Sequence, residues 1–192
     1  MDAGTMSCVS RVLLTGPPGI GKTTICKKIS SMLEKQNCKF DGFYTEEVRD
    51  PRNVRIGFDV ILAISFLNRK ILNPAQYSKY RVGNYHVFLN EFESVALTVF
   101  DSNAGILFID EIGKMELFSR KFEEKINRLF SDQSNGSCVI ATIPLIHKVP
   151  QKHLSLFQRL HADKRSKVIN VTRQNRDNLP NEIFDFISRF NR

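Results

Sequence analysis

The chain has 192 residues, 42% hydrophobic and 25% charged, a composition that excludes disordered and fibrous classes and allows a real core to be buried. Its 28 Lys and Arg against 20 Asp and Glu give a net charge of +8, which suits anionic partners, whether nucleotides or nucleic acid. No linker, repeat or low-complexity tract divides it, so one domain over 1–192 is expected.

A first strand, near Arg11 to Leu14, runs into Gly16-Pro17-Pro18-Gly19-Ile20-Gly21-Lys22-Thr23-Thr24, which fits the phosphate-loop pattern G-x-x-x-x-G-K-[ST]. Such a loop wraps its backbone N–H groups around polyphosphate, and the helix after it turns its positive end to the same anion. Lys22 is expected to reach the outer phosphates and the Thr23 hydroxyl to ligate Mg²⁺. The helix is predicted from Lys22 to about Gln36, with Ile25, Ile29, Met32 and Leu33 at helical spacing. A strand at Gly42 to Val48, a turn at Asp50 to Asn53 and a returning strand at Val54 to Ile64 predict an antiparallel hairpin. The stretch from Asn68 to Gly83 is polar and irregular. A strand at Tyr85 to Leu89 follows, then a helix from Glu91 to Phe100 capped by Asn90, with Glu93 three residues on.

Gly105 to Ile109 is a short all-apolar run ending in Asp110 and Glu111, as a strand covered on both faces would be. In an open α/β sheet ligands gather at the carboxyl ends of strands. Asp110 can therefore hold Mg²⁺ opposite Thr23, and Glu111 can polarise a water for attack on the γ-phosphate. Ser119 caps a predicted helix through Phe130, and Ser137 to Ile143 reads as another buried strand. A parallel strand between the loop strand and the acidic strand is the arrangement expected where that extra glutamate is present. Thr142, at the end of the Ser137 strand, has two readings: contact with the γ-phosphate or the water, or a capped strand end. The last strand is placed at Lys167 to Val171 and the last helix at Leu179 to Phe190, with Pro180 in its first turn. After that strand, Asn175 and Arg176 either contact the base or serve capping and surface roles.

Alternating strands and helices predict an α/β, three-layer P-loop fold, a mainly parallel sheet with helices on both faces plus the antiparallel hairpin. The cysteines Cys8, Cys26, Cys38 and Cys138 show no metal-ligand spacing, and neither do the four histidines. Cys26 and Cys138 read as buried free thiols. With no signal-peptide pattern and no apolar run long enough to span a bilayer, a cytoplasmic or nuclear monomer without a membrane partner is expected. Cations are densest from Gln158 to Arg176, but aromatic residues do not interleave with them as in a single-strand platform, so nucleic acid is the lesser reading. A nucleotide or small-molecule kinase and a nucleotide-switched RNA-binding module are the alternatives to hydrolysis.

The blocks Gly42-Phe43-Tyr44-Thr45-Glu46-Glu47-Val48-Arg49, Arg55-Ile56-Gly57-Phe58-Asp59-Val60, Ile109-Asp110-Glu111-Ile112-Gly113-Lys114-Met115-Glu116-Leu117-Phe118 and Asn170-Val171-Thr172-Arg173-Gln174-Asn175-Arg176, together with the phosphate loop, closely resemble a family of small P-loop nucleoside-triphosphatases found in animals and thermophilic prokaryotes. The resemblance covers nearly the whole chain. It implies slow, Mg²⁺-dependent hydrolysis of nucleoside triphosphates (ATP, GTP, CTP, UTP) to diphosphate and phosphate, permissive toward the base. It gives Lys22 and Thr23 phosphate and metal roles, Asp110 the metal and Glu111 the water. Two departures stand out. Ile61 to Lys70 lacks the family's Gly- and Ser-rich character, and Leu160 to Arg165 lacks the arginine spacing of a family lid. Arg159, Lys164 and Arg165 are candidates for a cation on the transferring phosphoryl, and Lys114 with Glu116 for a structural ion pair.

Overall fold

Six strands form the main sheet in the computed structural model, which describes residues 9–49, 51–52, 55–63, 80–82, 85–132 and 136–188. In chain order the strands are β1 (Arg11–Thr15), β2 (Phe40–Arg49), β3 (Arg55–Leu62), β4 (Tyr80–Val82), β5 (Tyr85–Val87), β6 (Ile106–Asp110), β7 (Cys138–Ile143) and β8 (Ser166–Asn170). The helices are α1 (Lys22–Lys35), α2 (Leu89–Ala96), α3 (Arg120–Ser131), α4 (Leu154–Ala162) and α5 (Leu179–Ile187). The sheet order is β3-β2-β6-β7-β1-β8. Strands β2, β6, β7, β1 and β8 are mutually parallel, and β3 lies antiparallel on the β2 edge. The hairpin expected from Gly42 to Ile64 is therefore present, and β7 does separate the loop strand from the acidic strand.

The central strands are apolar between their ends because both faces are covered. Successive residues point to opposite faces, so Val12 and Leu14, Ile106 and Phe108, and Cys138 and Ile140 share one cluster with Ile25, Ile29 and Leu33 of α1 and Ile183 and Ile187 of α5. Leu13, Leu107, Ile109, Val139 and Ala141 face the other way, onto Phe92 of α2, Phe122 and Ile126 of α3, and Phe157 and Leu160 of α4. Each fully buried Leu, Ile or Phe side chain contributes about 1.5–3 kcal/mol. On the second face Phe122 meets Phe43, Phe92 and Phe100 edge-on, with ring centroids 5.9, 5.2 and 5.6 Å apart. Cys26 and Cys138 are buried, as expected.

Several boundaries differ from the sequence reading. Helix α2 begins at Leu89, and Asn90 is an exposed residue inside it rather than its cap. Glu93 instead accepts from Ser119 Oγ at 2.7 Å and Lys121 Nζ at 2.8 Å. Ser119 does cap α3, accepting from the Phe122 amide at 3.0 Å. Strand β5 is short and pairs with β4 in a separate two-stranded sheet, so the end of the irregular stretch is a strand. Helix α4 was not foreseen: His153 at its start supplies no capping side chain, and its buried Leu156, Phe157 and Leu160 lie among cations. Much of the polar stretch before Tyr80, part of the β2–β3 turn, and Cys8 lie outside the described residues.

Candidate active site

The phosphate loop sits where β1 gives way to α1. Its backbone needs glycine at Gly19 (φ 74°) and Gly21 (φ 112°), conformations that side-chain-bearing residues rarely adopt. A Cβ at either position would meet nothing within 4 Å, so torsion rather than space selects the residue there. Gly21 occupies the cap position of α1 without any side-chain acceptor, and the first turn carries no acidic residue. The positive end of α1 and its leading amides are thus available to an external anion. Pro17, Pro18, Gly19 and Thr24 are exposed, Ile20, Lys22 and Thr23 half-buried. Lys22 Nζ donates to the Gly16 carbonyl at 3.2 Å, which folds the ammonium back over the loop.

Two strands away, Asp110 closes β6 with 1% of its surface exposed. Burial raises its pKa; the hydroxyls of Thr142 and Thr23, the Lys22 ammonium and the Thr45 backbone pull the other way. Thr142 Oγ1 donates to Asp110 Oδ1. The other oxygen, Oδ2, is buried without a hydrogen-bond partner among the described residues. A buried carboxylate oxygen lacking a donor is costly unless something electropositive completes it. Glu111, joined to Asp110 by a cis peptide, is half-buried. Burial raises its pKa, Lys22 lowers it and Asp110 raises it again.

A carboxylate oxygen and a hydroxyl are hard donors that suit Mg²⁺, an ion usually held by one or two protein groups and the phosphates of the substrate. The orphaned Asp110 Oδ2 fits that ion, with Thr23 on the facing arm. Among the described residues no group of three or more His, Cys, Asp or Glu could hold a metal, and none is required for a site of this type.

The other candidates sort differently. Thr142 is fully buried and engaged with Asp110, so it holds the carboxylate in place. Asn175 uses both ends of its amide on the turn after β8, accepting from Thr172 N at 2.8 Å and donating to the Asn170 carbonyl at 2.9 Å. Arg176 reaches across to the phosphate loop, its Nη1 3.5 Å from the Ile20 carbonyl. Arg165 lies beyond the site, bonded to the carbonyls of Phe130 and Asp132 at the start of β8, and Lys164 is its exposed neighbour. Arg159 donates to Asn127 in α3. None of these three cations has a hydrogen bond to the loop among the described residues. The Lys114–Glu116 ion pair is not formed: Lys114 is exposed while Glu116 is 5% exposed. A buried Glu116 was missed, its one sequence signal being a lone acid between Met115 and Leu117.

A phosphate loop opening a helix, faced across one intervening strand by an acidic strand end, defines a P-loop nucleotide-binding fold. A family model described as NTPase matches residues 11–184. The human cancer-related nucleoside-triphosphatase is 43% identical over 180 residues, 88% of this chain and 91% of that protein. The nucleoside-triphosphatase THEP1 of Thermotoga maritima is 34% identical over 168 residues, 83% and 91% of the two chains. The crystal structure of THEP1 from the hyperthermophile Aquifex aeolicus matches with a TM-score of 0.72 at 30% identity, covering 93% of this chain and 99% of that one. The chain belongs to this NTPase family, in agreement with the motif blocks. Among the described residues no helix is long and apolar enough to cross a membrane.

Proposed function

We propose that the protein is a Mg²⁺-dependent hydrolase of nucleoside 5′-triphosphates that accepts ATP, GTP, CTP and UTP, acting as a monomeric single domain. The observation that carries this reading is the unpartnered Asp110 Oδ2, buried beside Glu111 and facing the arm that bears Lys22 and Thr23. Asp110 and Thr23 would hold Mg²⁺, which would supply charge neutralisation to the triphosphate when bound, and Thr142, which donates to Asp110, orients that carboxylate. Lys22 and the first amides of α1 meet the charge that develops as the γ-phosphoryl leaves. Glu111 orients the water and accepts its proton. The water oxygen bonds to the γ-phosphorus, the bond to the β–γ bridging oxygen breaks, and the nucleoside diphosphate departs, leaving inorganic phosphate. Breadth toward bases follows from a loop that grips phosphates common to every nucleotide. Arg176 is the nearest cation for the nucleoside end, while Asn175 shapes the turn that presents it.

Phosphate release should occur without any acceptor, should need Mg²⁺ and should stop with chelator. Glu111→Gln should lower kcat by about 100-fold or more, in line with loss of general-base help, while nucleotide affinity stays within about threefold. Turnover that requires an added nucleoside monophosphate would replace this reading with a kinase. A wild-type rate in Glu111→Gln would remove Glu111 from the mechanism.

A further inference from the structure

The segment after β6 is held tightly. The Ile112 amide donates to the Thr142 carbonyl at 2.9 Å, the Leu117 amide to Gly113 O at 3.0 Å and the Ser119 amide to Glu116 O at 3.0 Å. Ile112, Leu117 and Ser119 are buried. In this frame Gly113 stands between two carboxyl groups. A Cβ built on it would lie 3.0 Å from Glu116 Oε2 and 3.2 Å from Glu111 Oε1. Gly113 is not among the glycines of positive φ, so no backbone torsion excludes a side chain there. Its missing Cβ is what leaves the two carboxyl groups room to face the same spot.

Glu116 is also an expensive residue to bury. No cation is among the groups that act on it; the charges it meets are those of Glu111 and Asp110, offset in part by hydrogen bonds from the backbone at Glu116 and Gly113. A buried acid facing other acids lowers stability unless it remains protonated or serves a site.

We propose that Glu116 is a positioning residue of the hydrolytic site, its carboxyl holding Glu111 across Gly113 in the orientation from which Glu111 addresses the water. The inference rests on the role given to Glu111 above. Burial, then the charge of Glu111, pushes the Glu116 pKa up to about 8. At neutral pH the group therefore carries a proton and can donate it as a hydrogen bond. A glutamine amide at this position retains the shape and the donor; an alanine retains neither.

The test is steady-state hydrolysis, with nucleotide affinity and thermal unfolding measured alongside, for Glu116→Ala, Glu116→Gln, Gly113→Ala, Glu111→Gln and the double variant Glu111→Gln/Glu116→Ala. Glu116→Ala should lose about tenfold or more in kcat with KM within about threefold, and Glu116→Gln should stay within about threefold of wild type. The double variant should be no slower than Glu111→Gln alone, because a residue acting only through another adds nothing once that other is gone. Gly113→Ala keeps both carboxyl groups and forces them apart, and should reproduce the kcat loss even if Glu116→Ala fails to fold. A wild-type kcat in folded Glu116→Ala or in Gly113→Ala, equal losses for Ala and Gln at 116, or a double variant slower than Glu111→Gln would each overturn the proposal. A wild-type rate for Glu111→Gln would overturn the hydrolytic reading beneath it, a result distinct from all of these.

Discussion

Glu116 makes stability respond to pH in the sense opposite to a salt-bridged acid. Its folded value of about 8 lies above the ordinary 4.5, so between those two pH values the folded chain retains a proton that the unfolded chain has released. The stability it contributes is complete below pH 4.5 and is lost as pH rises through 8, at up to about 1.4 kcal/mol per pH unit. Glu116→Gln has no such proton. Its melting temperature should therefore gain on that of wild type as pH is raised from 5 to 8, measured by thermal unfolding in parallel buffers. A constant difference would show that the Glu116 carboxyl ionises alike in the folded and unfolded chains. This residue also marks where sequence reading ended. Lys22, Thr23, Asp110 and Glu111 could be singled out because each lies in a motif whose spacing suits a phosphate ligand. The role of Glu116 depends on burial and on the space beside Gly113, and neither is written in neighbouring residues.

Among the elements, α3 is the most unusual in how it ends. Its last carbonyls receive two guanidinium groups from distant parts of the chain. Arg11 donates to Leu129 O and Phe130 O at 2.8 Å each, and Arg165 to Phe130 O at 2.9 Å and Asp132 O at 2.8 Å. Asp163 pairs with both arginines. Positive charge at a helix C-terminus is favourable, and a buried ion pair is far more costly to break than to build. Arg11 is 3% exposed, so Arg11→Met should lower unfolding free energy by about 3–5 kcal/mol, read from denaturant titration. The kcat of the folded fraction should not change, because Arg11 opens β1 at the end remote from the phosphate loop. The sequence showed cations crowding Gln158 to Arg176 and offered Arg159, Lys164 and Arg165 as candidates for a cation on the transferring phosphoryl. Arg165 turns out to close a helix, since the parallel register of β1 and β8 sets it beside Arg11, 154 residues earlier in the chain. The hairpin, by contrast, was legible, because a turn between two strand patterns is a local signal. Helix α4 was not, for want of a cap.

On the scale of the whole molecule, ligand binding should register as folding stability. A ligand present at 100 times its Kd adds about 2.7 kcal/mol to the bound fold. Glu111→Gln, which should bind without turning over, is the form in which to measure it. Its melting temperature should rise with a nucleoside triphosphate and rise further with Mg²⁺. Adding Asp110→Asn should abolish the second increment and leave most of the first. Equal increments with and without Asp110 would place the metal elsewhere.

The position of β7 has a consequence for biosynthesis. Both neighbours of β1, β7 and β8, lie in the last third of the chain. A nascent polypeptide that has emerged as far as Glu111 already carries the phosphate loop, the acidic pair and the strands β2, β3 and β6, which can associate with one another. It has no strand with which to attach β1 to them. The two arms of the site come within reach only after Ile143 leaves the ribosome, so nucleotide can stabilise this protein once the first three-quarters of the chain has emerged.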